Sequence, residues 1–598
     1  MWTPLVGLKS KTSLNTRQVS RPVFLDLYPT ITFEMKDSPI RDAFFATIVV
    51  ITALAPFLNK AFHIDDPLFL WMAQQIAHHP GDPYGFAVNW YVSNQPMFSI
   101  MQNPPLSSYY IALIASFLGW SEPAMHGAFL VPAIAAVLGT FFLARRLCNS
   151  PLLAALLLLF TPVFLVSATG VMCDVWLLAL WVWSIECWMR ALERNSAQLL
   201  FLASVLAAAA ALTKYFGVAL VPLLAVYTLV RERRVTHRIL YFLIPILVIA
   251  SYEVITKAKY GQGLFSNAML VSWNENAKPE QHLFQQLFIG LSFAGGCLFS
   301  VLFYAPLLKV GAVHRTDPSR GGVHGRLRAG GARSITPTSP NFRILIIGLA
   351  LFVVLVPLFY LGAARKALPV GIAIEGALFV TIGIGILALA LVDIVQHKTA
   401  DSLLLGLWVF GTFVFAAVMN WTITSRTFLP MAPAVIILLI RRLRLPAPNG
   451  SFMHWWPILP AALVSLLITI GDYKLANTAR IAASQFQQRC HVELGSIWFE
   501  GHWGFQYYMQ QWNAKPLDRT QPTIPSGDVL IVPINNANIW SPSPALLMPS
   551  PGQVNFPQFP VTTMNWEIHA GFYASNWGPL PWVVASAPPE HYLIFRIK

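Results

Sequence analysis

Two aspartates, Asp65 and Asp66, stand side by side just after the first strongly apolar stretch, and a proline follows them. A carboxylate free at such a place can act as a general base toward a hydroxyl. Asp66-Pro67 also has the form of a helix start, the carboxylate capping free N–H groups and the proline in the first turn. That duty leaves Asp65 free, which makes it the candidate base. Asp174 lies near the start of an apolar run, SATGVMCDVWLLALWVW. A carboxylate within a span costs a few kcal/mol (about 2.5–3.5) and normally faces a partner or a cavity; capping is the plainer alternative. Lys214 in AAAAALTKYFG and Arg426 in NWTITSRTFLPMAP are single cations at turns beside apolar runs. Each suits a phosphate, against the plainer alternative of a cation snorkelling to the interface.

His63, His78, His79 and His282 lie near these groups in the chain but match no tight metal-ligand spacing. A divalent cation held by the carboxylates stays open as a cofactor. No P-loop, Ser-His-Asp signature or HExxH occurs, which argues against a nucleotide-driven pump or an intramembrane metalloprotease.

The elements that must position these residues follow from composition. Of 598 residues 56% are hydrophobic and 11% charged, against about 25% charged in soluble domains. The apolar runs are about twenty residues long and do not alternate, so they form spanning helices rather than a barrel. Thirteen are expected, near 43–61, 123–144, 151–167, 171–189, 197–212, 215–230, 238–256, 283–308, 342–361, 369–396, 402–420, 427–440 and 453–471. The net charge of +14 is no nucleic-acid footprint, because 25 of the 40 Lys and Arg residues cluster in alternate loops and the N-terminal tail. The opposite set of loops holds eight. This bias puts the N-terminus in the cytoplasm and the Asp65-Asp66 loop outside.

The chain therefore divides into a basic cytoplasmic tail (1–42), a membrane domain (43–472) and an external C-terminal domain (473–598). The tail lacks the apolar core and cleavage site of a signal peptide. The first external loop, 63–121, has interfacial helical patterns at 67–78, with Leu68, Met72, Ile76 and Trp71, and at 104–118. The basic, Gly-rich stretch 310–341 is a cytoplasmic loop touching anionic lipid. Beyond 473, runs such as DVLIVP and HYLIFRIK indicate a mixed or β-rich domain. Cys148, Cys173, Cys187 and Cys297 lie in or beside spans and Cys490 is alone outside, so that domain has no internal disulfide.

Five stretches resemble, in family order, the GT-C superfamily of membrane glycosyltransferases, closest to its protein O-mannosyltransferase and lipid A aminoarabinose transferase branch. HIDDPLFLWMAQQI is similar to the acidic motif of the first external loop, and NPPLSSYYIALIASFLGW to the Pro-Pro-Leu interfacial helix. TPVFLVSATGVMCDVWLLAL resembles the span pair with the second acidic residue, LAAAAALTKYFG the Leu-Thr-Lys turn, and SRTFLPMAPAVIILL the Arg-aromatic-Leu-Pro segment. Asn103 stands where the aminoarabinose branch tends to carry Lys. The resemblance implies inverting transfer of a sugar from a polyprenyl-phosphate donor to a glycolipid, polysaccharide or protein acceptor at the external face of the bilayer, in a bacterial inner membrane. It implies Asp65, Asp66 and Asp174 as catalytic carboxylates, and Lys214, Arg426, Asn103 and Tyr109 on the donor phosphate. The same charges would also serve a transporter or flippase as a relay, but they gather at the outer ends of spans rather than near the midplane. A noncatalytic scaffold of the same fold is the other alternative. EGHWGFQYYM and FYASNWGPLPW match nothing with an assignable role.

Overall fold

The apolar runs fold as helices, the one spanning form that satisfies every backbone polar group within a single unpaired segment. The computed structural model describes residues 38–91, 93–278, 282–308, 348–358, 369–443, 454–490, 496–520, 523–539 and 552–598. The expected basic loop 310–341 and nearly all of the tail lie outside the described residues.

Among the described residues eight helices are long and apolar enough to cross a membrane, and the pair Leu283–Cys297 and Phe299–Leu307, bent by 72°, makes a ninth. This is an integral membrane protein. The difference from thirteen has local causes. The run 151–167 breaks at Thr161-Pro162, where proline has no N–H to continue the ladder, into Pro151–Leu159 and Pro162–Ser167. Ala197–Thr213 has 17 residues. The run 427–440 opens with a single turn, Ser425–Phe428, and a 3-10 turn at Leu429–Met431 before Ala432–Arg442. Only Gly348–Leu358 of the run 342–361 is described.

Helix Asp174–Arg194 is central: 78% of its most apolar window is buried, against 22% for Pro39–Phe57 and for His237–Tyr260. Trp181 and Trp188 fill the space around it, while Phe44 and Val254 on the peripheral helices stay exposed to the acyl chains. Its N-terminal end carries Asp174 and its C-terminal end Arg194, so the candidate site and the arginine clusters occupy opposite ends of the bundle.

In the first external loop, helix Asp66–His78 packs against Leu106–Leu118. Leu68, Met72 and Ile76 are buried, as their spacing requires. The face expected to lie in the membrane interface is instead partly covered by helix Trp503–Gln510 of the C-terminal domain. The expected domain boundary falls inside one continuous helix, Ile458–Cys490, which leaves the bundle and becomes the first element of that domain. The domain's five-stranded sheet runs in the order Lys515–Pro516, Ile497–Phe499, Val529–Pro533, Glu590–Arg596, Gly552–Phe556. The first three are parallel; Glu590–Arg596 is antiparallel to both neighbours, with Leu593 opposite Val532.

Candidate active site

Asp65 is carried on a strained turn. Ile64, buried and β-branched, has a φ of 47°, a left-handed conformation that such residues rarely adopt. Asp66 enforces it. One of its carboxylate oxygens accepts the N–H of His63 at 2.8 Å and the other the N–H of Val171 at 2.8 Å. The helix-cap role expected for Asp66 is therefore wrong: its oxygens face back toward the loop and across to the Gly170–Val171 turn, and the helix start has no side-chain cap. Asp66 is fully buried and its pKa is pushed up from 3.8 to about 6, chiefly by burial, with Lys60 and the two N–H groups opposing. The Asp65 side chain keeps about a third of its surface exposed.

Lys214 sits in extended backbone between helix Ala197–Thr213 and the 3-10 turn Tyr215–Ala219. Gly217 lets that turn close, since a Cβ there would lie 2.3 Å from the backbone of Ala210. Lys214 Nζ donates to Asp174 Oδ1 at 2.7 Å. Thr424 caps the short helix Ser425–Phe428 and presents Arg426. The guanidinium donates to Asp65 Oδ2 at 2.7 Å and lies 3.6 Å from Asp174 Oδ2, an oxygen without a hydrogen bond. The Tyr573 ring lies under it at 5.4 Å. Four residues far apart in sequence thus form one chain of charges, Asp65–Arg426–Asp174–Lys214, with two charges of each sign.

All four line a cavity of about 920 Å³ together with Asn103. Tyr109 does not: its hydroxyl donates to the carbonyl of Pro80 at 2.5 Å, and the expected place on the donor phosphate is not supported by its position. The four histidines do not converge, and among the described residues no three His, Cys, Asp or Glu side chains are placed to hold a metal ion. Arg426 occupies the space between Asp65 and Asp174 where a divalent cation would bridge them, so this donor set does not fit one as arranged.

Sequence reasoning missed a second buried cluster behind the first. Lys60 Nζ donates to Asp472 Oδ2 at 2.5 Å and to Thr169 Oγ1 at 3.1 Å. Asp472 also accepts from Thr563 at 2.7 Å and Tyr573 at 3.0 Å. His63 Nε2 lies 3.9 Å from Asp472, and burial pushes its pKa down to about 4. Asp472, an aspartate directly after the last expected apolar run and inside the helix that continues it, was the signal available.

The family model described as dolichyl-phosphate-mannose-protein mannosyltransferase matches residues 102–255, the segment that holds Asn103, Asp174 and Lys214. The chain resembles the GT-C membrane glycosyltransferases. No curated protein matches it in sequence. Among solved structures it is similar to the archaeal oligosaccharyltransferase AglB from Archaeoglobus fulgidus, in complex with an inhibitory peptide and a dolichol-phosphate, at 12% identity and a TM-score of 0.44, covering 83% of this chain and 69% of that one. It is also similar to ArnT from Cupriavidus metallidurans bound to undecaprenyl phosphate, at 13% identity and a TM-score of 0.39, covering 83% of this chain and 93% of that one. The apo state of ArnT gives 13%, 0.42, and coverage of 93% and 97%.

Proposed function

We propose that this protein is an inverting glycosyltransferase that moves a sugar from a polyprenyl-phosphate donor to an acceptor hydroxyl at the external face of the membrane. The observation that carries this is the charge chain Asp65–Arg426–Asp174–Lys214 on the wall of one cavity. Lys214 and Arg426 bind the donor phosphate. That phosphate draws Arg426 off Asp65, and the freed Asp65 carboxylate takes the proton of the acceptor hydroxyl. The acceptor oxygen bonds to the anomeric carbon from the face opposite the phosphate. The bond from that carbon to the phosphate oxygen breaks, and its electron pair leaves on polyprenyl phosphate. A positioned base contributes about 10²- to 10⁴-fold, and fixed cations stabilise the charge growing on the phosphate. Asp174 holds the two cations in place, with Oδ1 on Lys214 and Oδ2 facing Arg426.

The polyprenyl chain enters beside helix Leu264–Asn276, where the cavity lining turns apolar and Met269 and Trp273 are exposed. The loop charge bias supports an external position for this end of the bundle, the periplasm in a bacterial inner membrane. The test is donor binding to the purified chain. Lys214→Ala and Arg426→Ala should each weaken undecaprenyl-phosphate binding about tenfold or more with insertion intact; parent-like binding by both variants would place the phosphate elsewhere.

A further inference from the structure

The wall of the cavity opposite the phosphate-binding cations comes from the C-terminal domain, and its chemistry differs. From Trp503 onward every residue lining the cavity is uncharged. Its centre is a pair of indoles, Trp503 and Trp577, 5.0 Å apart at 53° and both half-buried. The exposed side chains Asn538 and Asn576 line the same wall.

Both indoles are held in place by the elements that carry the charges. Trp503 has a φ of 63°, a left-handed conformation that a non-glycine residue keeps only where its surroundings impose it. The Asn536 side chain imposes it, accepting the His502 N–H at 2.7 Å and donating to the His502 carbonyl at 3.3 Å. The His502 ring in turn lies 3.2 Å from the carbonyl of Tyr91 in the first external loop. Gly504 follows because a Cβ there would lie 1.9 Å from the Phe62 carbonyl, three residues before Asp65. The loop with Trp577 is strapped to the Arg426 segment. Ser425 N–H donates to the Phe572 carbonyl at 2.8 Å, and Ser575 N–H to the Ile423 carbonyl at 2.9 Å.

We propose that the Trp503–Trp577 wall is a subsite for an uncharged sugar ring, and that the acceptor is a glycan whose terminal residues are neutral sugars. A pyranose has an apolar face of C–H groups that stacks on indole and a rim of hydroxyls that pairs with amides. An acceptor bearing phosphate or carboxylate groups would call for cations on this wall, and it presents none among the described residues. Assigning the sugar to the acceptor rests on the transferase reading above; the stacking site itself does not.

The test uses the full chain in lipid nanodiscs free of sugar-headed detergent. Saturation-transfer NMR would be run with neutral mannotetraose and cellotetraose and with an anionic heparin tetrasaccharide. The expected result is that a neutral tetrasaccharide binds the parent and the heparin fragment does not. Trp577→Ala and Trp503→Ala should each weaken that binding about tenfold, with Trp577→Phe, which keeps a stacking ring, losing less. Undecaprenyl-phosphate binding should stay unchanged in all three variants, which also shows that they are folded. The proposal is overturned if neither neutral sugar binds the parent, if both alanine variants bind like the parent, or if the heparin fragment is preferred. Loss of lipid-phosphate binding in the parent would instead overturn the transferase reading and leave the sugar site standing.

Discussion

Replacing Asp66 by Asn should remove a pH dependence of stability and lower the activity, and both effects follow from the same buried carboxylate. Asn presents one acceptor and one donor, the pattern of a protonated carboxyl group. Burial raises the Asp66 pKa from 3.8 to about 6, so the fold favours that protonated pattern. The stability that this group contributes is fully present below about pH 4 and lost as the pH rises through about 6, a difference of about 3 kcal/mol. Asn does not titrate. Asp66→Asn should therefore gain on the parent by up to about 3 kcal/mol between pH 4 and pH 8, on top of a pH-independent cost of about 1–3 kcal/mol for the N–H that loses its acceptor. At pH 8 the parent's ionised carboxylate accepts from both His63 and Val171, whereas Asn turns its amide NH₂ toward one of them. The turn then relaxes Ile64 and displaces Asp65, and a shift of about 1 Å in a reacting group costs on the order of 10²-fold in rate. Thermal unfolding at several pH values, with single-turnover transfer rates, reads both effects. The parent should show an acid limb near pH 6 that the variant lacks. A variant whose stability falls between pH 4 and pH 8 as the parent's does, or one with parental rate and an unchanged acid limb, would refute the reasoning.

Asp65→Asn should lose transfer by about two orders of magnitude while still binding undecaprenyl phosphate; parent-like turnover would remove Asp65 from the mechanism. Lys60→Met leaves the buried Asp472 carboxylate without its cation and should cost about 3–5 kcal/mol, whereas Lys60→Met with Asp472→Leu should recover much of it; equal melting of parent and single variant would show the pair to be inert. Cysteines at Val584 and Lys398, both exposed and on opposite sides of the membrane by the loop charges, should separate under an impermeant thiol reagent. Label is expected at 584 and not at 398 in intact cells, and the reverse pattern would invert the topology.

The charges of the site were legible because each was anomalous where it stood. Asp174, Lys214 and Arg426 are single charges at the ends of apolar runs, where an unpaired charge is expensive, and the structure pairs all three. Asp66 was misread because its proline neighbour supplied a complete local explanation, while one of its actual partners lies 105 residues away. The expected thirteen spans exceed the nine found among the described residues for a related reason. Summed hydropathy does not register a break such as Thr161-Pro162, which leaves the run apolar but divides the helix. The expected strands at 528–533 and 591–598 did pair, as Val529–Pro533 with Glu590–Arg596. The aromatic segments around Trp503 and Trp577 carried no local signal of their use, because their meaning comes from the backbone contacts that turn them toward the cavity.

Those contacts bear on what the C-terminal domain is. A tethered accessory module would meet the membrane domain through a linker and a modest polar interface. Here the connection is a continuous helix, Ile458–Cys490, and Asp472 within it forms the buried ion pair with Lys60 at the end of the first span. One hydrophobic core contains Leu68 and Met72 from the first external loop together with Phe486, Phe505 and Tyr592 from the C-terminal region. Tyr573 both donates to Asp472 and underlies Arg426, so the two buried charge clusters share a residue that belongs to that domain. The turn bearing Asp65 and the segment bearing Arg426 are each fastened to it separately, through Phe62 N–H donating to Tyr508 at 2.9 Å and Ser425 N–H donating to Phe572 at 2.8 Å. The 2.7 Å contact between Asp65 and Arg426 spans 361 residues, and the element to which both sides are fastened is this domain. It is therefore part of the frame that sets the geometry of the charge chain.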